Sequence, residues 1–125
     1  DVCLVGVGKM LGTCLDAADL LAANGIEATV WDPRVVKPLD PALLDHAATF
    51  GHVITVEDGL ADGGIGASIA RELSDRCRAR PTEPRVTVLG TPTAYIAQGK
   101  ADAILADLGL DAAGVAATVR AALGS

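Results

Sequence analysis

The chain has 125 residues, half of them hydrophobic, with 10 Lys and Arg against 16 Asp and Glu and a net charge of −6. That length supports one domain with a real core. Excess negative charge and a single residue each of Trp, Tyr and Phe argue against a nucleic-acid partner, which calls for positive charge and stacking rings. No apolar run approaches the roughly 18 residues that cross a membrane, so no membrane partner is expected. The apolar residues are mostly Ala, Val, Leu and Ile, which suit helices packed tightly on a parallel sheet.

The first element is "DVCLVGV" (1–7), a short apolar run reaching glycine, read as a buried strand. Because Asp1 opens directly into a strand, the chain is expected to be a segment of a longer polypeptide. Residues 10–23 carry a helical stripe through Leu11, Cys14, Leu15, Ala18, Leu21 and Ala22, and Asn24-Gly25 stops it. "IEATVW" (26–31) is the second strand. A Pro-rich crossing leads to Asp40-Pro41, an N-cap followed by proline at the first helical position, and a short helix over 41–49.

"HVITVE" (52–57) is the third strand, and "DGLADGGIG" (58–66) reads as a flexible glycine loop. It opens a helix with Ile65, Ile69, Leu73 and Cys77 on one face. "RVTVLG" (85–90) is the fourth strand, and 91–99 an irregular loop. A helix is expected at about 101–108, followed by Gly109. The last helix has Asp111 as N-cap, with Leu110 stapled to Val115. Alternating strands and helices predict a three-layer α/β/α fold on a mainly parallel sheet of about four strands, order 2-1-3-4.

The stretch "LVGVGKMLG" (4–12) invites comparison with a dinucleotide loop, whose three glycines make the turn, admit the phosphates and let helix and strand pack. Gly6 and Gly8 fit the first two places, and Asp32 lies roughly where a ribose-binding acid belongs. The third place holds Leu11, and Gly12 comes one residue late, about 100 degrees round the helix. The glycines are therefore expected to serve a sharp strand-to-helix turn. A free-standing dinucleotide-binding module remains the alternative.

The three cysteines, Cys3, Cys14 and Cys77, fall on a strand and on helical stripes and read as buried, reduced thiols of a cytoplasmic protein. Their spacing, with only His46 and His52 to add, supports no zinc site. The cluster Gly63, Gly64 and Gly66 opens a helix, where backbone amides bind anions, but it lacks the Lys-Ser/Thr of a P-loop. Close packing against a neighbouring chain is the expected use. Glu57 and Asp58 end the third strand, and neighbours on an extended chain point to opposite sides. They are expected to be solvated or interface carboxylates rather than an acid–base pair. Arg34 and Lys37 could meet acids of another domain, a phosphate, or solvent. No Ser–His–Asp or Cys–His arrangement is legible, and no catalytic, cofactor-binding or metal-binding residue is assigned.

Three stretches together resemble the C-terminal domain of transketolase-like enzymes, over essentially the whole chain. They are "VWDPRVVKPLD" (30–40), "VITVEDGLADGGIGASI" (53–69) and "GTPTAYIAQGKADAILADLGLDAAGVAATV" (90–119). The first two are shared across that superfamily, which includes the beta-type subunits of 2-oxo acid dehydrogenases. The third is similar to the 1-deoxy-D-xylulose-5-phosphate synthase branch. Val35, Thr91, Thr93 and Ala97 depart from the common pattern.

The resemblance implies a homodimeric parent enzyme that uses thiamine diphosphate and Mg²⁺, both held by upstream domains, with none bound to this segment. It implies a reaction joining pyruvate to D-glyceraldehyde 3-phosphate with loss of carbon dioxide. It also implies that residues 1–125 form one C-terminal domain, inactive alone. The matched positions are Arg34, Lys37, Pro38, Asp40, Glu57, Gly63, Gly64, Gly66, Tyr95 and Gly99. Arg34, Lys37, Glu57, the three glycines and Tyr95 are expected at interdomain or subunit contacts. Family members also carry an antiparallel strand before the first strand seen here, so one sheet edge is expected to need cover.

Overall fold

The computed structural model describes residues 1–33, 39–60, 64–91 and 109–124. Strands β1 (Val2–Gly6), β2 (Ala28–Trp31), β3 (His52–Leu60) and β4 (Arg85–Thr91) alternate with helices α1 (Met10–Ala22), α2 (Pro41–Ala47) and α3 (Ile65–Arg76). Helix α4 (Ala112–Leu123) closes the chain. All strand pairs are parallel in the order β2-β1-β3-β4, as the alternation predicts. The expected helix at 101–108 lies outside the described residues.

Every residue of β1 is buried, because both sheet faces are covered. Val2 and Leu4 face a core with Ile54 and Val56, under α1 and α4, while Cys3 and Val5 face the other way with Val53, under α2 and α3. The period-2 alternation of one strand thus feeds two cores, the physical content of a three-layer fold.

Most boundaries shift by one or two residues from the sequence reading, and two of the shifts have a clear physical reason. Strand β2 begins at Ala28 rather than residue 26, because Ile26 belongs to the end of α1. Its N–H bonds back to the Leu21 carbonyl at 3.0 Å, the Gly25 N–H reaches Ala22, and Gly25 takes φ +76°. That is the six-to-one closure of a helix end, with Leu21 and Ile26 meeting in the same core. Strand β3 runs on to Leu60, so residues 58–60 are strand rather than loop. Pairing with β4 shifts register between Val56 and Leu60, where Gly59 permits an irregularity, and resumes with Leu60 opposite Thr91.

Caps were more legible. The Asp40 side chain accepts the Ala42 N–H at 2.9 Å, with Pro41 at the first turn of α2. Asp111 accepts the Gly114 N–H at 2.8 Å to start α4, and Leu110 and Val115 are buried in one cluster.

Candidate functional site

Parallel α/β sheets gather their strand-to-helix turns at one end, and two such turns lie side by side here. The first leaves β1. Val7 donates to the Val56 carbonyl of β3 at 2.9 Å, Gly8 reverses the chain at φ +60°, and Met10 and Leu11 donate to Val7 and Gly8 as α1 begins. A Cβ on Gly6 would lie 2.7 Å from Leu11 Cα and 2.8 Å from the Met10 carbonyl oxygen. Gly6 therefore admits the helix backbone against the strand end, and Gly8 supplies the left-handed residue. Gly12 has open space where its Cβ would be. Gly6 and Gly8 serve the sharp turn, as the spacing suggests, and Gly12 takes no part in close packing.

The second turn leaves β3 and is built on charge. Gly64, the N-cap of α3, has no side chain to satisfy the first helical N–H groups. Glu57 does so from the strand: Oε2 accepts the Ile65 N–H at 3.1 Å and Oε1 the Gly66 N–H at 3.0 Å. The carboxylate sits against the positive end of the helix dipole, and the residue is only 3% exposed. Opposite it, a Cβ on Gly66 would collide with Thr55 Oγ1 and lie 2.7 Å from Val88 Cγ1. Thr55 is fully buried, and its hydroxyl has no hydrogen-bond partner among the described residues.

These contacts correct two sequence expectations. Glu57 is not solvated; burial is possible because two backbone donors compensate its charge. Gly66 packs closely against β3 and β4 of its own chain, where a neighbouring chain was expected. Gly64 lies at the mouth of the same turn with ordinary extended angles, φ −85° and ψ −169°. Arg34, Lys37, Gly63 and Tyr95 lie outside the described residues, as do Pro38 and Gly99. Asp40 is the α2 cap. Thr55 was not singled out in the sequence, although its place two residues before Glu57 puts both side chains on the face that α3 covers.

Cys3, Cys14 and Cys77 are all buried and unpaired. Burial pushes the Cys3 and Cys14 thiols up to about 12, with Cys14 adding to the effect on Cys3. Both stay protonated at neutral pH, so neither is a nucleophile there. Among the described residues no three His, Cys, Asp or Glu side chains come together to hold a metal ion, and no helix is long and apolar enough to cross a membrane.

A strand-borne glutamate gripping a glycine-rich helix start, in a parallel sheet of this order, can be set against known proteins. The family model for the transketolase C-terminal domain matches residues 1–115. The chain belongs to that family. Among curated relatives, a 1-deoxy-D-xylulose-5-phosphate synthase 1 from Kitasatospora griseola is 46% identical over 97% of the chain. The synthase from Thermobifida fusca is 46% identical over 93%. The chain spans 18% of the length of each of these two relatives.

Among solved structures, one described as a split-gene transketolase in an inactive β4 tetramer matches 99% of the chain at TM-score 0.85 and 35% identity. The chain spans 39% of that protein. Transketolase from Campylobacter jejuni, at TM-score 0.66 and 16% identity, shares the fold.

The stretch G-L-D-x-x-G, residues 109–114, has a local structural account. Gly109 takes φ +73°, and Leu110 is the buried staple. A Cβ on Gly114 would meet the Gly109 backbone at 2.5–2.7 Å. The motif builds the start of α4 from its own residues.

Proposed function

We propose that this chain is the C-terminal domain of a 1-deoxy-D-xylulose-5-phosphate synthase and that it has no activity alone. The parent joins pyruvate to D-glyceraldehyde 3-phosphate with release of carbon dioxide, as a cytoplasmic homodimer. The observation that carries this reading is the 46% identity to the Kitasatospora synthase across 97% of the chain but 18% of the relative. Thiamine diphosphate with Mg²⁺ supplies the carbanion chemistry of such a parent.

The described residues do not fit that cofactor: both Glu57 oxygens are engaged by backbone donors, and no metal-binding cluster is present among them. We take upstream domains to hold the cofactor and the role of this domain to be assembly. In this reading the turn at Gly64, together with Arg34, Lys37, Gly63 and Tyr95, meets the rest of the parent. Glu57 contributes from within, by fixing where α3 starts. A functional turn at the carboxyl edge agrees with the general habit of parallel sheets.

The test has two arms. The purified parent should form 1-deoxy-D-xylulose 5-phosphate from pyruvate and D-glyceraldehyde 3-phosphate, and the 125-residue chain should give no heat with thiamine diphosphate and Mg²⁺. A parent that leaves pyruvate untouched would overturn the substrate assignment, and the likeness to a split-gene transketolase would then be the better guide. Micromolar binding of the cofactor to the chain alone would overturn the division of labour.

A further inference from the structure

Away from the glycine turns, the end of β2 meets α2 through one hydrogen bond between aromatic rings. Trp31 closes β2, and its indole Nε1–H donates to His46 Nδ1 at 3.0 Å. The rings meet edge-on, with centroids 5.8 Å apart at 71°. On its other side His46 meets Phe50 at 5.2 Å and 61°. The only Trp and the only Phe of the chain therefore bracket one imidazole. The arrangement follows from the packing of α2: Leu43, Leu44 and Ala47 occupy the buried face, which turns His46 outward beside the strand end.

An indole N–H can only donate, so Nδ1 must carry a lone pair and the ring proton must sit on Nε2. In an imidazolium both nitrogens donate, and no rotation of the ring restores an acceptor. Adding a proton to His46 therefore removes the bond outright.

Charged groups lie on the elements that carry the pair. On its own helix, Asp45 precedes it and is held at 2.7 Å by Arg76 of α3. Asp32 follows Trp31 on the strand side, and Asp40 caps the far end of α2. The last-turn carbonyls of α2 also favour a cation.

We propose that the Trp31–His46 bond is a proton-operated latch between β2 and α2. It is closed while His46 is neutral and opens when the ring takes up a second proton, because the imidazolium has no acceptor for the indole N–H. The latch lies within this chain and works whatever the parent catalyses.

Nuclear magnetic resonance of the chain with ¹⁵N-labelled His and Trp tests it, with His52→Gln assigning the two imidazoles. At pH 8 the His46 ring nitrogens should report the Nε2–H tautomer. On titration to pH 5 the single indole N–H resonance should move with the His46 nitrogens through one inflection. Trp31 fluorescence should follow the same curve in the wild type and in His52→Gln. In His46→Gln, whose acceptor does not titrate, it should be flat. An indole signal that ignores His46 protonation, an Nδ1–H tautomer at pH 8, or a His46→Gln protein that titrates like the wild type would overturn the proposal. The wild-type titration decides even if His46→Gln fails to fold.

Discussion

Helices α1 and α3 both start at the carboxyl edge of the sheet from a pair of glycines, yet different forces hold them. At α1 the backbone does the work: Gly6 gives room for the helix, Gly8 makes the reversal, and no side chain caps the start. At α3 a buried carboxylate replaces the missing cap, and Gly66 clears space for Thr55 and Val88. Glycine spacing alone does not distinguish a conformational device from a charged clamp. What distinguishes them is whether a donor or acceptor from a distant strand is aimed at the turn.

The contrast can be broken most forcibly at Gly66. Gly66→Ala should cost about 3 kcal/mol in a urea melt, since its Cβ would collide with the fully buried Thr55 and lie 2.7 Å from Val88 Cγ1. Adding Thr55→Ala should return part of that loss. A neutral Gly66→Ala would show that the clamp is loose. Glu57→Ala comes next, at about 2 kcal/mol, by leaving two helix N–H groups without their carboxylate. Glu57→Gln keeps one acceptor and should lose about half as much.

A third test turns on pH and belongs to the β1–α1 side. Cys3 and Cys14 hold their protons up to about 12 in the folded chain, whereas unfolded thiols ionise near 9.0. Between those values the folded state binds more protons than the unfolded one, so stability is intact below about pH 9 and falls as pH rises. The slope should approach 1.4 kcal/mol per pH unit for each thiol. Cys3→Ala and Cys14→Ala should each flatten it in melts from pH 8 to pH 10.5, and an unchanged slope would contradict the assignment.

Smaller effects separate the glycines of the first turn. Gly8→Ala should cost about 1 kcal/mol, purely from the left-handed φ, because its Cβ would touch nothing. Gly12→Ala should instead stabilise by about 0.5 kcal/mol, the gain of alanine over glycine inside a helix. Thermal melts of the two variants should move in opposite directions.

What the sequence disclosed follows the range of the interactions. The Asp40 and Asp111 caps and the Leu110 staple depend on neighbours within a few residues and were readable; the strand order pairs residues as distant as Cys3 and Val53, and was readable because right-handed crossovers leave few topologies. So was the role of Gly6 and Gly8, because the turn they make is local. The Glu57 clamp spans eight and nine residues across the segment joining β3 to α3, and its partners are backbone N–H groups that no side-chain pattern announces. The extension of β3 to Leu60 was hidden because Gly59 reads as a loop residue, while its pairing depends on β4. Trp31 and His46, fifteen positions apart, meet only because a crossover returns α2 to the end of β2.

The central claim is that Glu57 and Gly66 build the start of α3 from within, leaving Gly64 beside them to meet the rest of the parent. The direct measurement is turnover of the parent enzyme carrying Gly64→Val, with the urea melt of the variant chain as reference. Gly64 has extended angles open to any residue, so the chain should lose about 1 kcal/mol or less, the cost of a poorer N-cap. Turnover should fall at least about tenfold, equivalent to 1.4 kcal/mol or more at the contact with the parent. Full turnover, or a variant chain that unfolds readily by itself, would contradict the account.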